Sequence, residues 1–114
     1  MSALSELNAI MEALSLPVET GVFGDKPPAT YVVLTPFYDD FPLFGDNMPI
    51  VEVQSIRISL FDKGNYTGAA GRIVRALLKE GFTISDRRFV EHEDDTEYNH
   101  YYIDAEKYFY FERG

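Results

Sequence analysis

The sequence predicts an α+β domain: a mainly antiparallel sheet of four to five strands with two helices packed on one face and a long loop at 36–48. Three observations carry this. Leu4, Leu7, Ile10, Met11 and Leu14 recur at helical spacing, and so do Ala69, Ala70, Ile73, Val74, Leu77 and Leu78. The segment 98–111 alternates in period two and is half aromatic. A length of 114 residues suits one modest core, and with no internal repeat or low-complexity stretch, residues 1–114 are expected to form a single domain.

The first helix is expected over 3–14, capped by Ser2 or Ser5 and ended by Pro17. Leu16-Pro17-Val18 then leads into a loop marked by Gly21, Gly24, Asp25, Pro27 and Pro28, and Tyr31-Val32-Val33-Leu34 reads as a short strand. Residues 36–48 hold Pro36, Asp39, Asp40, Pro42, Gly45, Asp46 and Asn47, which read as a turn-rich excursion. The same stretch carries Phe37, Tyr38, Phe41, Leu43, Phe44 and Met48, an apolar load unusual for a loop. Such a segment either folds over its own core or docks on another subunit.

Residues 49–61 read as a long strand whose apolar phase changes near Gln54-Ser55: Val51 and Val53 share one parity, Ile56, Ile58 and Leu60 the other. Either a β-bulge or cover on different faces along the strand produces this. Asp62-Lys63-Gly64-Asn65 ends it, and a helix follows over about Tyr66–Glu80, with Arg72, Arg75 and Lys79 toward solvent. Gly81 sits where a left-handed C-cap belongs, with Phe82 as its hydrophobic contact. Phe82-Thr83-Ile84 and Phe89-Val90 read as an interrupted strand, and the acidic turn 91–97 joins it to the last strand. There Tyr101, Ile103, Ala105, Phe109 and Phe111 share the apolar parity, while Tyr98, His100, Tyr102, Asp104, Glu106, Tyr108 and Tyr110 share the tyrosine-rich one.

Ten basic against nineteen acidic residues leave a net charge of −9, a poor start for gripping nucleic acid. That charge favours solubility and repulsion, or a surface that meets DNA without sticking or fits a basic partner. The absence of cysteine excludes disulfides and thiolate metal sites. No apolar run reaches membrane-spanning length, and no secretory signal is expected from Met1-Ser2-Ala3-Leu4-Ser5-Glu6.

His92, Glu93, Asp94, Asp95 and Glu97 have the chemistry of a hard-cation site but not the spacing of a calcium loop, so they read as a solvated hairpin turn. His92 and His100 are expected to face each other across that hairpin as surface or interface histidines, with no nucleophile near them in sequence. Gly64-Asn65-Tyr66-Thr67-Gly68-Ala69-Ala70-Gly71 opens a helix but lacks a phosphate-loop pattern, and Gly68 and Gly71 are expected to let the helix approach the sheet. Arg87-Arg88 fits a phosphate clamp or a subunit salt bridge equally. No catalytic, metal or cofactor residue is assigned, and no enzyme activity is expected. The expected subunit interface comprises Phe37, Phe41, Phe44, Met48, Arg72, Arg75, Tyr98, His100, Tyr102, Tyr108 and Tyr110, because exposed aromatics and arginines favour protein–protein contacts.

A family pattern is also present. It runs through Leu16-Pro17-Val18 with Gly21, Pro27-Pro28-x-x-Tyr31-Val32-Val33, Asp46-Asn47-x-Pro49 and Ile56-Arg57-Ile58-Ser59-Leu60-Phe61-x-Lys63-Gly64-Asn65-Tyr66. It continues through Leu77-Leu78-x-Glu80-Gly81-Phe82-Thr83-Ile84-x-Asp86-Arg87-Arg88 and Glu93-x-Asp95-Thr96-x-Tyr98-x-His100-Tyr101-x-Ile103-Asp104. From about residue 15 onward this resembles the tail-terminator, or tail-completion, proteins of long-tailed bacteriophages and prophages of Gram-positive hosts. The resemblance implies a sheet flanked by helices with a protruding loop or hairpin. It implies a ring, usually a hexamer, that caps the head-proximal end of the tail tube and joins it to the head. The implied partners are further copies of the chain, the major tail-tube protein and head–tail connector proteins, with DNA passing through unbound. Assembly would take place in the host cytoplasm, and the product would reside in the virion tail. The resemblance carries over no catalytic residue. Two other readings fit the residues: a small prophage-encoded adaptor or regulator, and a metal-dependent enzyme using His92, His100 and the acidic turn.

Overall fold

The computed structural model describes residues 2–22 and 26–110; Gly24, Asp25 and Phe111 lie outside them. The first helix, α1, spans Ala3–Ala13. Ser2 and Ser5 cap its start reciprocally, the Ser2 hydroxyl accepting from Ser5 N at 3.1 Å and the Ser5 hydroxyl from Ser2 N at 3.3 Å. Its end is a Schellman turn: Leu16 N donates to Met11 O and Ser15 N to Glu12 O, with Ser15 in the left-handed region at φ 59°. That closure drives Leu16 back into the core, where it is buried.

Val18–Thr20 forms a short strand, β1, instead of loop. It runs parallel to β2, Thr30–Gly45, with Val18 opposite Val32. The next strand, β3, spans Met48–Asp62, followed by α2 at Tyr66–Lys79, β4 at Thr83–His92 and β5 at Asn99–Tyr110. The sheet order is β1-β2-β3-β5-β4; β1·β2 is its one parallel pairing, so the sheet is mixed and largely antiparallel. Gly81 at φ 84° closes α2 as expected, with Phe82 N donating to Leu77 O and the Phe82 ring buried.

Two further expectations about the strands are corrected. Residues 36–48 are not a loop: β2 continues to Gly45 and returns as β3 through Asp46-Asn47, both at positive φ (52° and 64°). That is the geometry of a two-residue hairpin turn matched to strand twist. Register shifts flank Phe37 and Phe41-Pro42, and Pro42 sits within one of them, where a missing N–H is tolerated. Second, β4 is one continuous strand with two register shifts, between Ile84 and Asp86 and between Phe89 and Glu91.

The core lies on one sheet face. Val32, Leu34, Ile56, Ile58, Leu60, Ile103 and Ala105 point there and meet Ala3, Leu7 and Met11 of α1 and Ala69, Ala70, Ile73 and Leu77 of α2. Both helices therefore cover the same face. Leu78, expected in the α2 stripe, is instead 59% exposed, because the core arc of that helix ends at Leu77. Gly68 and Gly71 do not approach the sheet; a side chain there would meet Asn65 or Arg75, and Ala69 and Ala70 make the close contact. The phase change in β3 is no bulge against β5, since the pairing runs unbroken from Val51–Tyr110 to Asp62–Asn99. Before Gln54 the buried apolar residues are Val51 and Val53, on the face away from the helices; after it they are Ile56, Ile58 and Leu60, on the helix face.

Candidate interaction surfaces

The described residues extend 54 Å along one axis and about half that along the others. The length comes from the hairpin. Among the described residues, the helix-covered core takes nothing from β2 beyond Leu34 and nothing from β3 before Ile56, while Val51 and Val53 are buried on the other face. The rest of β2 and β3, flanked by the last residues of β5, forms an arm beyond the helical layer. Phe37, Tyr38, Phe41, Leu43, Phe44, Met48, Tyr108 and Tyr110 are all exposed on it, Phe44 at 57% and Tyr110 at 78%. Phe41 and Phe44 pack edge to face at 6.1 Å near the tip. By register Tyr38, Leu43, Tyr108 and Tyr110 share the face of Val51 and Val53 while Met48 takes the other, so both faces of the arm present apolar side chains to solvent. Phe37, Phe41, Phe44, Met48, Tyr108 and Tyr110 of the expected interface are thus brought together on one element.

The sheet face away from the helices carries an aromatic and ionic ladder. One register row runs Tyr31–Phe61–His100, with rings stacked at 4.8 and 4.3 Å. Tyr98, expected as an interface residue, is only 5% exposed. Its ring edge packs on Tyr31 and Phe61, and its hydroxyl donates to Pro28 O at 2.6 Å, so it belongs to the chain's own packing. Two rows along, Arg57 makes a bidentate pair with buried Asp104 (2.8 and 2.9 Å), and its guanidinium lies 4.0 Å over the Tyr102 ring. This pairing raises the Arg57 pKa above its ordinary value. Tyr102 donates its hydroxyl to Asp86 at 2.9 Å, which lowers the Asp86 carboxyl and raises the Tyr102 phenol. Tyr102 is therefore half-buried and positioned, with its ring still part of the face. Sequence reasoning missed the Arg57–Asp104 pair. Its signal was a charge inside an apolar strand, Ile56-Arg57-Ile58, opposite the one carboxylate between Ile103 and Ala105.

His92 and His100 do not face each other. His92 pairs with Asn99 and His100 with Glu91, which puts the two side chains on opposite faces of the hairpin. His92 is exposed; Nδ1–H donates to Asn99 Oδ1 at 3.0 Å, and Glu97 lies 3.4 Å from Nε2, so its pKa is raised. His100 is stacked on Phe61 with Nε2 buried and, among the described residues, without a partner; desolvation lowers its pKa. No group of three His, Asp or Glu side chains among the described residues is placed to hold a metal ion. Arg87 and Arg88 also lie on opposite faces, opposite Ile103 and Tyr102, so they do not form a clamp; Arg88 lies 3.7 Å from Asp86.

Arg72 and Arg75 lie together on the outer side of α2, at the mouth of a cleft of about 640 Å³ between the end of α1 and the start of α2. Leu14, Leu16, Pro17 and Ala69 line it together with the polar Ser15, Thr30, Asp62 and Asn65, and Arg72 Nη1 donates to Leu14 O at 3.4 Å. No helix among the described residues is long and apolar enough to cross a membrane. No family model matches the chain, and no curated protein matches it.

Proposed function

We propose that the protein is a tail-completion protein, the terminator, of a long-tailed bacteriophage or prophage. Copies close into a ring, a hexamer, at the head-proximal end of the tail tube, stop its growth and present the surface that receives the head connector. The observation that supports this most directly is the arm: a β-hairpin beyond the core, with eight large apolar side chains exposed along it and the flanking end of β5. A hairpin held away from its own core buries such residues only against another molecule. A patch at one end of an elongated subunit suits head-to-tail contacts, which form a ring where the rotation between neighbours closes. The sequence pattern from Leu16 to Asp104 supports the same assignment, and a net charge of −9 suits a ring through which DNA slides unbound. Assembly then takes place in the bacterial cytoplasm, and the product is part of the virion tail.

The test is co-assembly with the major tail-tube protein of the same phage or prophage. Tubes grown with the chain present should stop at limited length and carry ring density at one end in electron micrographs. Tubes of unchanged length with bare ends would overturn the proposal.

A further inference from the structure

Charge is segregated along this chain in a way its composition does not require. Residues 36–56, the arm and its continuation, carry Asp39, Asp40, Asp46 and Glu52 and no basic residue. Helix α2, 66–79, carries Arg72, Arg75 and Lys79 and no acidic residue. The three cations fall on one outer stripe of the helix, at spacings of three and four residues. None of them joins the four ion pairs found among the described residues, although the chain holds almost twice as many acids as bases. The stripe is bordered by exposed Leu78 and by the cleft that Leu14, Pro17 and Ala69 line together with Thr30 and Asn65. The arm offers the matching guest: the edge-packed Phe41–Phe44 pair, flanked in sequence by Asp39, Asp40 and Asp46. Within one chain the two surfaces stay apart, since the arm takes no part in the core against which α2 packs.

We infer that the arm of one copy docks on α2 of the next, its aromatic pair entering the cleft between α1 and α2 and its carboxylates meeting Arg72, Arg75 and Lys79. The occupant is a second copy of this chain, selected by charge complementarity between an arm that carries only acidic groups and a helix that carries only basic ones. Guanidinium groups at the mouth also stack on aromatic faces, which suits arginine there better than lysine. The contact joins two different patches, so it propagates head to tail. This inference rests on the ring reading above and specifies which surfaces make the ring.

The experiment uses two full-length charge-reversal variants, Asp39→Lys/Asp40→Lys and Arg72→Glu/Arg75→Glu, with sedimentation velocity in the presence and absence of the tube protein. Each variant alone opposes like charges at every contact, and its self-association should weaken at least about tenfold. Mixed in equal amounts the two variants alternate, each arm meeting an opposite charge, and association should return. All four positions are exposed, so thermal melts should match the parent chain. Parent association should also weaken as salt rises from about 50 to about 500 mM. If the parent assembles but both variants assemble equally well, or the mixture stays dissociated while both remain folded, or association ignores salt, the docking inference is overturned and the ring survives. If the parent itself stays monomeric with tube protein present, the ring reading falls and takes this inference with it.

Discussion

Replacing Phe44 by alanine separates an assembly residue from a core residue. A phenylalanine buries about 150–250 Å² when fully covered. At 57% exposure, roughly 100 Å² of Phe44 still faces water in the single chain. Covering that area on a neighbour contributes about 2.5 kcal/mol at 25 cal/mol/Å². Truncation should therefore cost the fold less than about 1 kcal/mol, a melting shift of a few degrees in a chain this size, and cost association about 2 kcal/mol or more. The internal standard is Ile58→Ala. Ile58 is fully buried between the sheet and both helices, and its truncation should cost the fold about 2–5 kcal/mol. Urea denaturation at a concentration where the chain is monomeric gives the first quantity, and sedimentation equilibrium gives the second. If Phe44→Ala destabilises the monomer as much as Ile58→Ala, the arm belongs to the core. If it leaves association unchanged, the arm is not the contact.

Four further outcomes follow from the geometry. Tyr102→Ala should destabilise the fold in urea melts, since it removes the ring under the Arg57 guanidinium and the hydroxyl bond to Asp86; an unchanged melt would contradict it. Arg57→Ala should destabilise more than Asp104→Ala, by about 3 kcal/mol against 1–2, because the first strands a buried carboxylate while the second returns a half-exposed guanidinium to water; equal costs in urea melts would count against this. His100→Phe should change the pH dependence of stability. With the folded-state pKa of His100 held below its unfolded value of about 6.5, the unfolded chain takes up the proton first, so its contribution is intact above pH 6.5 and is lost as pH falls below it. The melting temperature of His100→Phe should therefore gain on the parent between pH 7 and 5, and a constant difference would remove the assignment. Ser15→Gly should raise stability by up to about 1 kcal/mol, since Ser15 holds a left-handed φ of 59° that glycine adopts without strain; a lower melting temperature would show that the αL turn is not strained.

Much of the fold was legible because several signals agreed. Both helices announced themselves through periodicity and caps, and Gly81 marked the end of α2 by the one backbone geometry it suits. The parity of β5 sorted its two faces, with Ile103 and Ala105 inward and Tyr102 outward. The hairpin arm was not legible as a strand, because Pro36, Asp39, Asp40, Pro42 and Gly45 are residues that end strands elsewhere. They are tolerated here because register shifts interrupt the ladder near both prolines and, among the described residues, the outer side of β2 has no partner strand beyond Leu34. The true turn, Asp46-Asn47, was hidden among weaker turn signals. The short strand β1 escaped notice because its three residues gain their pairing from β2, a long-range contact with no local period. The apolar load of 36–48 was visible from the start, but composition does not say whether such residues are covered in the same chain. Tyr98 shows the converse: its parity placed it on the uncovered face, yet Tyr31, Phe61 and Pro28 enclose it.

The central claim is that the arm's exposed aromatic surface is buried between copies of this chain. Sedimentation equilibrium of the full-length protein across a wide concentration range, alone and with tail-tube protein, tests it most directly. The account predicts a closed oligomer of fixed subunit number that Phe44→Ala dissociates. A single-chain mass under every one of those conditions would contradict it.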